Sequence, residues 1–236
     1  NMTKVVLPEV GETFISARGL TQKTPMRTTY QNVDLDIKRG SLTSIVAEDR
    51  RGKTELLLTL AGHMRHTSGK LSVAGLELPK NEAAVRRIAG MGFFEEVNEV
   101  QPLLSLRAVT SAELNLKGKA SGSKATLEYL ETWGFADRAK VKTETLDKYD
   151  RVCFGIALGL VGDPALLVVD DIEGDLTLAQ GEAIMDMLRR VAHECGVTVV
   201  VACTDYALGK VADVAIPISD AARGQMAAAG EVVMNA

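Results

Sequence analysis

Gly52-Lys53-Thr54 and the adjacent pair Asp170-Asp171 are the residues whose types and spacing offer chemistry. A Gly-Lys-Thr triplet between a strand and a helix has the context of a phosphate-binding loop. Backbone amides at the helix start attract anion oxygens. The Lys53 ammonium would reach the β- and γ-phosphates, and the Thr54 hydroxyl would ligate Mg2+. The residues around the triplet carry mixed charge. Glu48, Asp49 and Glu55 set three carboxylates near the place of a triphosphate, and Arg50 and Arg51 could offset part of that charge. Each such pair, a few ångströms apart, is worth about 1–4 kcal/mol depending on the local dielectric. Charge alone therefore leaves nucleotide binding open.

The elements around these residues follow from apolar patterning. Ser41–Ala47 reads as a buried strand, and the following segment to Met64 as a helix with Leu56, Leu57, Leu60 and Met64 on one face. Phe14–Leu20 and Gln31–Gly40 read as short strands, and Gly69–Leu78 as strand, turn and strand around Gly75. From Leu103 to Ala157 the pattern is mainly helical, with a polar connector at Lys117–Ala125. Leu166–Val169 is a central strand whose end carries Asp170 and Asp171. An amphipathic helix closes at Gly196, and Val197–Asp205 and Val211–Asp220 supply two more strands. Strands alternating with helices predict an α/β fold with a parallel or mixed sheet. The stretch after Gly224 is weakly patterned and reads as a loose tail.

Composition narrows the function classes. A length of 236 residues suits one large domain, or a domain with a small insert. A net charge of −4 argues against nucleic-acid or membrane-surface affinity, so no nucleic-acid partner is expected. No run of about 18 apolar residues is present, so no membrane span is expected. The first residues lack a basic start followed by an apolar core, so no export signal is expected there. Cys153, Cys195 and Cys203 read as buried thiols of a reducing cytoplasm, and His63, His66 and His193 are too scattered for a zinc cluster.

The segments "LAGHMRHTSGKLSVAGLEL" and "GIALGLVGDPALLVVDD" resemble the nucleotide-binding domains of ATP-binding cassette (ABC) proteins. The resemblance covers about Phe14 to Ser219. It implies an α/β P-loop, RecA-like core with a small antiparallel β subdomain and a helical subdomain. The whole of 1–236 would be one nucleotide-binding domain, with core and β subdomain over about 14–102 and 158–220 and the helical subdomain over about 103–157. It also implies Mg-ATP as the cofactor, an integral membrane subunit as partner, and a homodimer or a heterodimer with another ABC domain. The expected location is cytoplasmic, peripheral at the inner face of the cell membrane.

Mapped onto this chain, the family's motifs are present in order but altered. Nucleotide-binding positions fall on Arg50, Arg51, Gly52, Lys53, Thr54 and Glu55, with Ala47 where the loop's first glycine stands and Arg50 where a positive-φ glycine is usual. Mg2+ ligation falls on Thr54 and Asp170. The glutamine that touches Mg2+ and the attacking water aligns with Glu96. The general base, usually Glu, is Asp171, and the switch histidine is Thr204. The signature LSGGQ aligns with "LDKYDR", putting Asp147, Lys148 and Tyr149 where a hydroxyl and two glycines would cap the γ-phosphate. No aromatic stands near Lys23–Pro25 to stack on adenine; Tyr30 is the nearest ring. These changes imply a degenerate subunit, weak or inactive as an ATPase, that serves a membrane complex structurally or as a regulator. The alternatives are a working transporter ATPase and a soluble module that binds another anion or a protein.

Overall fold

Residues 4–48, 50–95 and 97–218 are described by the computed structural model. Alternating buried and exposed residues build β1 (Thr13–Thr24) and β2 (Arg27–Lys38), an antiparallel pair joined through Pro25 and Met26. Both strands run longer than their apolar stretches suggest. The added residues are mostly Thr, Gln, Arg and Lys, pairing as Gln22 with Tyr30 and Lys23 with Thr28. Only part of each strand end is buried, so hydrophobicity is a poor guide to its length.

β3 (Leu42–Val46) is buried throughout and leads to α1 (Arg50–Leu60). The sequence places this helix from Gly52 to Met64. It starts two residues earlier and stops at Leu60, before Gly62 turns into the left-handed region at φ +77°. β4 (Ser68–Val73) and β5 (Leu76–Leu78) form the expected hairpin and extend the first pair into a sheet of order β2-β1-β4-β5. α2 (Glu82–Ile88) and β6 (Ala89–Met91) follow.

The chain divides into two compact units. One takes in the residues up to Gly90 and from Ala165 onward, and the other is Met91–Pro164. The second unit holds α3 (Leu106–Leu116), α4 (Ser123–Thr132) and α5 (Lys148–Gly159), with 3₁₀ turns at Ala136–Arg138 and Thr143–Thr145. Its core gathers Leu106, Val109, Leu130, Phe135, Phe154 and Leu158. The Phe135 and Phe154 rings meet edge to face at 5.5 Å. The connector predicted at Lys117–Ala125 is shorter, because α4 already begins at Ser123.

The first unit resumes with β7 (Leu166–Val169), α6 (Leu178–Cys195), β8 (Thr198–Cys203), α7 (Tyr206–Gly209) and β9 (Val214–Pro217). A five-stranded sheet of order β6-β7-β8-β3-β9 results, with β3 parallel to both β8 and β9 and β7 parallel to β8. Every residue of β3, β7 and β8 is buried, as expected of strands covered on both faces. α6 begins on a capping box between Thr177 and Gln180 and ends on left-handed Gly196, as its sequence signals. Cys203 is buried and Cys153 half-buried, but Cys195 is exposed, contrary to expectation, because it is the last residue of α6. The stretch after Gly224 lies outside the described residues.

Candidate functional site

The triplet and the aspartate pair come together at the carboxyl ends of β3, β7 and β8, where open α/β sheets place ligands. Ala47 extends β3 by one residue, its N–H donating to the Cys203 carbonyl at 3.1 Å. α1 already includes Arg50, Arg51 and Gly52. In the GxxxxGKT spacing, Arg50 and Arg51 fall among the four residues between the two glycine positions. Both are wound into helix here. The left-handed strain expected at Arg50 therefore does not arise: an arginine disfavours positive φ, and the chain coils early instead. Asp49 and Glu96 lie outside the described residues, as do the side chains of Arg50 and Arg51.

Lys53 is buried, 4% exposed. Its ammonium donates to the Ala47 carbonyl and to Thr204 Oγ1, the latter at 2.8 Å. Thr204, assigned to the switch position, is thus a direct partner of the loop lysine. The Thr54 hydroxyl donates to Asp170 Oδ2 at 2.5 Å, and Asp170 Oδ1 accepts the Asp171 N–H at 3.0 Å. Thr54 and Asp170 thus present a hydroxyl and a carboxylate side by side, hard oxygen donors that suit Mg2+. No cluster of three or more His, Cys, Asp or Glu able to hold a metal exists among the described residues.

Asp171, which the sequence reading assigns as general base, is left-handed at φ +49°, a conformation few non-glycine residues adopt. Its carboxylate lies beside Gly174, where a Cβ would stand 3.3 Å from Oδ1. Lys53, Asp170, Asp171, Glu173, Thr204 and Asp205 help line a cleft of about 500 Å³. Four carboxylates and one ammonium are among its described lining residues, a balance that disfavours a polyanion and leaves room for a compensating cation.

Other assigned residues are not among the described residues that line this cleft. Glu55 faces Arg27 at 3.9 Å, so part of its charge is offset within the fold. Asp147 caps α5 by accepting the Asp150 N–H at 2.8 Å, and Lys148 and Tyr149 are the first residues of that helix. Tyr30 is 2% exposed and hydrogen-bonded to Thr59 Oγ1 at 2.7 Å. Burial pushes its phenol up to about 12, so Tyr30 is a core residue and offers no face to an adenine. At the end of β8 the Cys203 thiol is likewise pushed up to about 12, by burial first and by the Glu173 charge second, which makes it inert.

Glu173 was missed by sequence reasoning. Its two carboxylate oxygens accept the Thr204 and Asp205 backbone N–H groups, each at 2.7 Å. Nothing local signals this, because the partners lie 31 and 32 residues downstream.

Residues 30–173 match the family model described as ABC transporter. The chain belongs to that family. The methionine import ATP-binding protein MetN of Corynebacterium jeikeium is 30% identical over 180 residues, covering 72% of this chain and 48% of the relative. The lipoprotein-releasing system ATP-binding protein LolD of Pseudoalteromonas translucida is 30% identical over 193 residues, covering 77% and 82%. Among solved structures, the dimeric bacterial ABC transporter cassette MJ0796 superposes with a TM-score of 0.73 at 25% identity, over 87% of this chain and 94% of that one. The chain spans about half the length of the MetN relatives it matches. The fold is accordingly that of the ABC cassette: an α/β P-loop core with an antiparallel β sheet and a helical part. No described helix is long and apolar enough to cross a membrane.

Proposed function

We propose that this ABC chain is an ATP-binding subunit of a membrane transport complex whose own capacity to hydrolyse ATP is impaired. In this reading it works as a structural or regulatory partner of an integral membrane subunit, at the cytoplasmic face of the membrane, paired with a second ABC domain. The named roles of MetN, LolD and the dimeric MJ0796 cassette support the nucleotide, the membrane partner and the pairing.

The observation that carries the impairment is the contrast between the loop, which keeps its phosphate-facing groups, and the hydrolytic side at Asp171 and Thr204. Two cradle positions are wound into α1, and Lys53 is engaged with Ala47 and Thr204. Thr54 and Asp170 would hold Mg2+, and Lys53 and the first amides of α1 would face phosphate. Held there, the ion would supply positive charge that offsets part of the charge of the phosphates. On the hydrolytic side the fit fails. Asp171 is one methylene shorter than Glu and turned toward Gly174, and Thr204 carries no charge. Nucleotide binding and nucleotide cleavage are therefore separated: the chain retains the first and lacks the geometry for the second.

Calorimetric titration of the purified chain with ATP tests the binding half. Saturable binding that needs Mg2+ is expected, weakened about tenfold or more in Asp170→Ala, since a lost hydrogen bond or ligand to a charged group is worth about 1.5–3 kcal/mol. No saturable binding at millimolar Mg-ATP would contradict the nucleotide role.

A further inference from the structure

The loop after β8 is held by a side chain that no motif assigns. We propose that Glu173 is a latch: it fixes the Thr204–Asp205 backbone, and through Thr204 sets the resting place of the Lys53 ammonium and opposes phosphate entry. The proposal rests on the reading of this cleft as the nucleotide site.

Three observations carry it. First, the segment that presents Glu173 is shaped for the task. Ile172 is fully buried and anchors it, and left-handed residues flank it at Asp171 (φ +49°) and Gly174 (φ +56°). A glycine at 174 adopts that backbone without strain, whereas Asp171 bears a cost that the rest of the fold must offset. Second, both carboxylate oxygens are used, one on each of two successive amides at 2.7 Å. Hydrogen bonds to an ionised acceptor are short and about twice as strong as neutral ones. The Asp205 side chain does not compete for these amides, because it accepts the Ala207 N–H at 2.7 Å. Third, the held residue is the one that receives Lys53: Thr204 donates its N–H to the Glu173 carboxylate and accepts from the Lys53 ammonium through its hydroxyl oxygen. Glu173, Thr204 and Lys53 thus form one connected series across the cleft.

The consequence concerns anions. Phosphate oxygens and Thr204 draw on the same ammonium, and Glu173 adds a negative charge to the lining of the same cleft. Removing the carboxylate loosens one anchor of Lys53 and lowers the repulsion met by a phosphate chain.

Glu173→Gln is the discriminating variant. It keeps the length, removes the charge, and offers one acceptor and one N–H₂ group to two N–H donors, so one amide loses its partner. In the nucleotide-free protein, hydrogen exchange at the Thr204 and Asp205 amides is expected to speed up about tenfold in Glu173→Gln and more in Glu173→Ala, with the amides of β8 unchanged. Calorimetry with Mg-ADP is expected to show about tenfold tighter binding in both variants. Such tightening separates the latch from a merely structural role, which would leave affinity unchanged or reduce it. Unchanged exchange at both amides, or unchanged or weaker Mg-ADP binding, overturns the latch. Faster exchange with no Mg-ADP binding in any form, the wild type included, overturns the nucleotide reading and the latch's role toward Lys53 with it.

Discussion

Steady-state phosphate release by the purified chain under saturating Mg-ATP stays at background and does not change in Lys53→Ala. This result is expected from the shape of the cleft, and two losses set its size. A general base moved by about 1 Å costs roughly 100-fold, and Asp171 lacks one methylene and faces Gly174. A missing polar or charged donor at the developing charge costs about 100- to 1000-fold, and the sequence reading puts Thr204 at the position of the switch histidine. Groups that act as one unit do not multiply cleanly, so the combined loss is at least about 100-fold. A competent enzyme turns over about 1–1000 times per second. At least about 100-fold below the typical value of about 10 per second, this chain is expected to turn over about 0.1 times per second or less, beneath the lower end of that range, where Lys53→Ala has little turnover left to remove. Turnover within that range, abolished by Lys53→Ala, would contradict the account.

Gly69→Ala is expected to destabilise the first unit far more than Gly75→Ala. Both glycines are left-handed, at φ +89° and +74°, and both belong to the antiparallel sheet region. At Gly75 an added Cβ meets nothing within 4 Å, so only the backbone preference is lost, worth about 1–2 kcal/mol. At Gly69 the same atom would stand 2.3 Å from the Gly19 carbonyl oxygen and 2.6 Å from its carbon. Gly19 lies where the β1–β4 register shifts between Arg18 and Thr21, so the two backbones cross at close range. Neither backbone can yield as a side chain would. The total is about 3–5 kcal/mol, a large part of the roughly 5–15 kcal/mol that holds a domain folded. Urea unfolding followed by circular dichroism should show the two variants differing by at least about 2 kcal/mol. Equal effects would show that the Gly19–Gly69 crossing is not tight.

The difference between what the sequence showed and what it hid has physical causes. β7 was read to the residue, because a buried parallel strand is a short apolar run with sharp ends. The close of α6 at Gly196 was equally plain, since a left-handed cap leaves a glycine in the sequence. Gly52, Lys53, Thr54 and Asp170 were visible as a motif, and the structure bonds Lys53 to Thr204 and Thr54 to Asp170. The early start of α1 was hidden, because the loop motif suggests an open cradle while Arg50 prefers helical backbone. Asp147 as a helix cap was available in principle: an aspartate three residues before another acid, ahead of an apolar helix, is a capping pattern. Glu173 was beyond reach, because its function depends on a pairing between the ends of two strands.

Acid-quenched single-turnover analysis, with protein in excess over radiolabelled ATP and Mg2+ present, tests the central claim most directly, since it registers a single cleavage event whatever the rate of product release. Bound ATP is predicted to be recovered intact after minutes, at the level of the Lys53→Ala control. Conversion of the bound fraction to ADP within seconds, lost in Lys53→Ala, would contradict the claim that this cassette holds its nucleotide without cutting it.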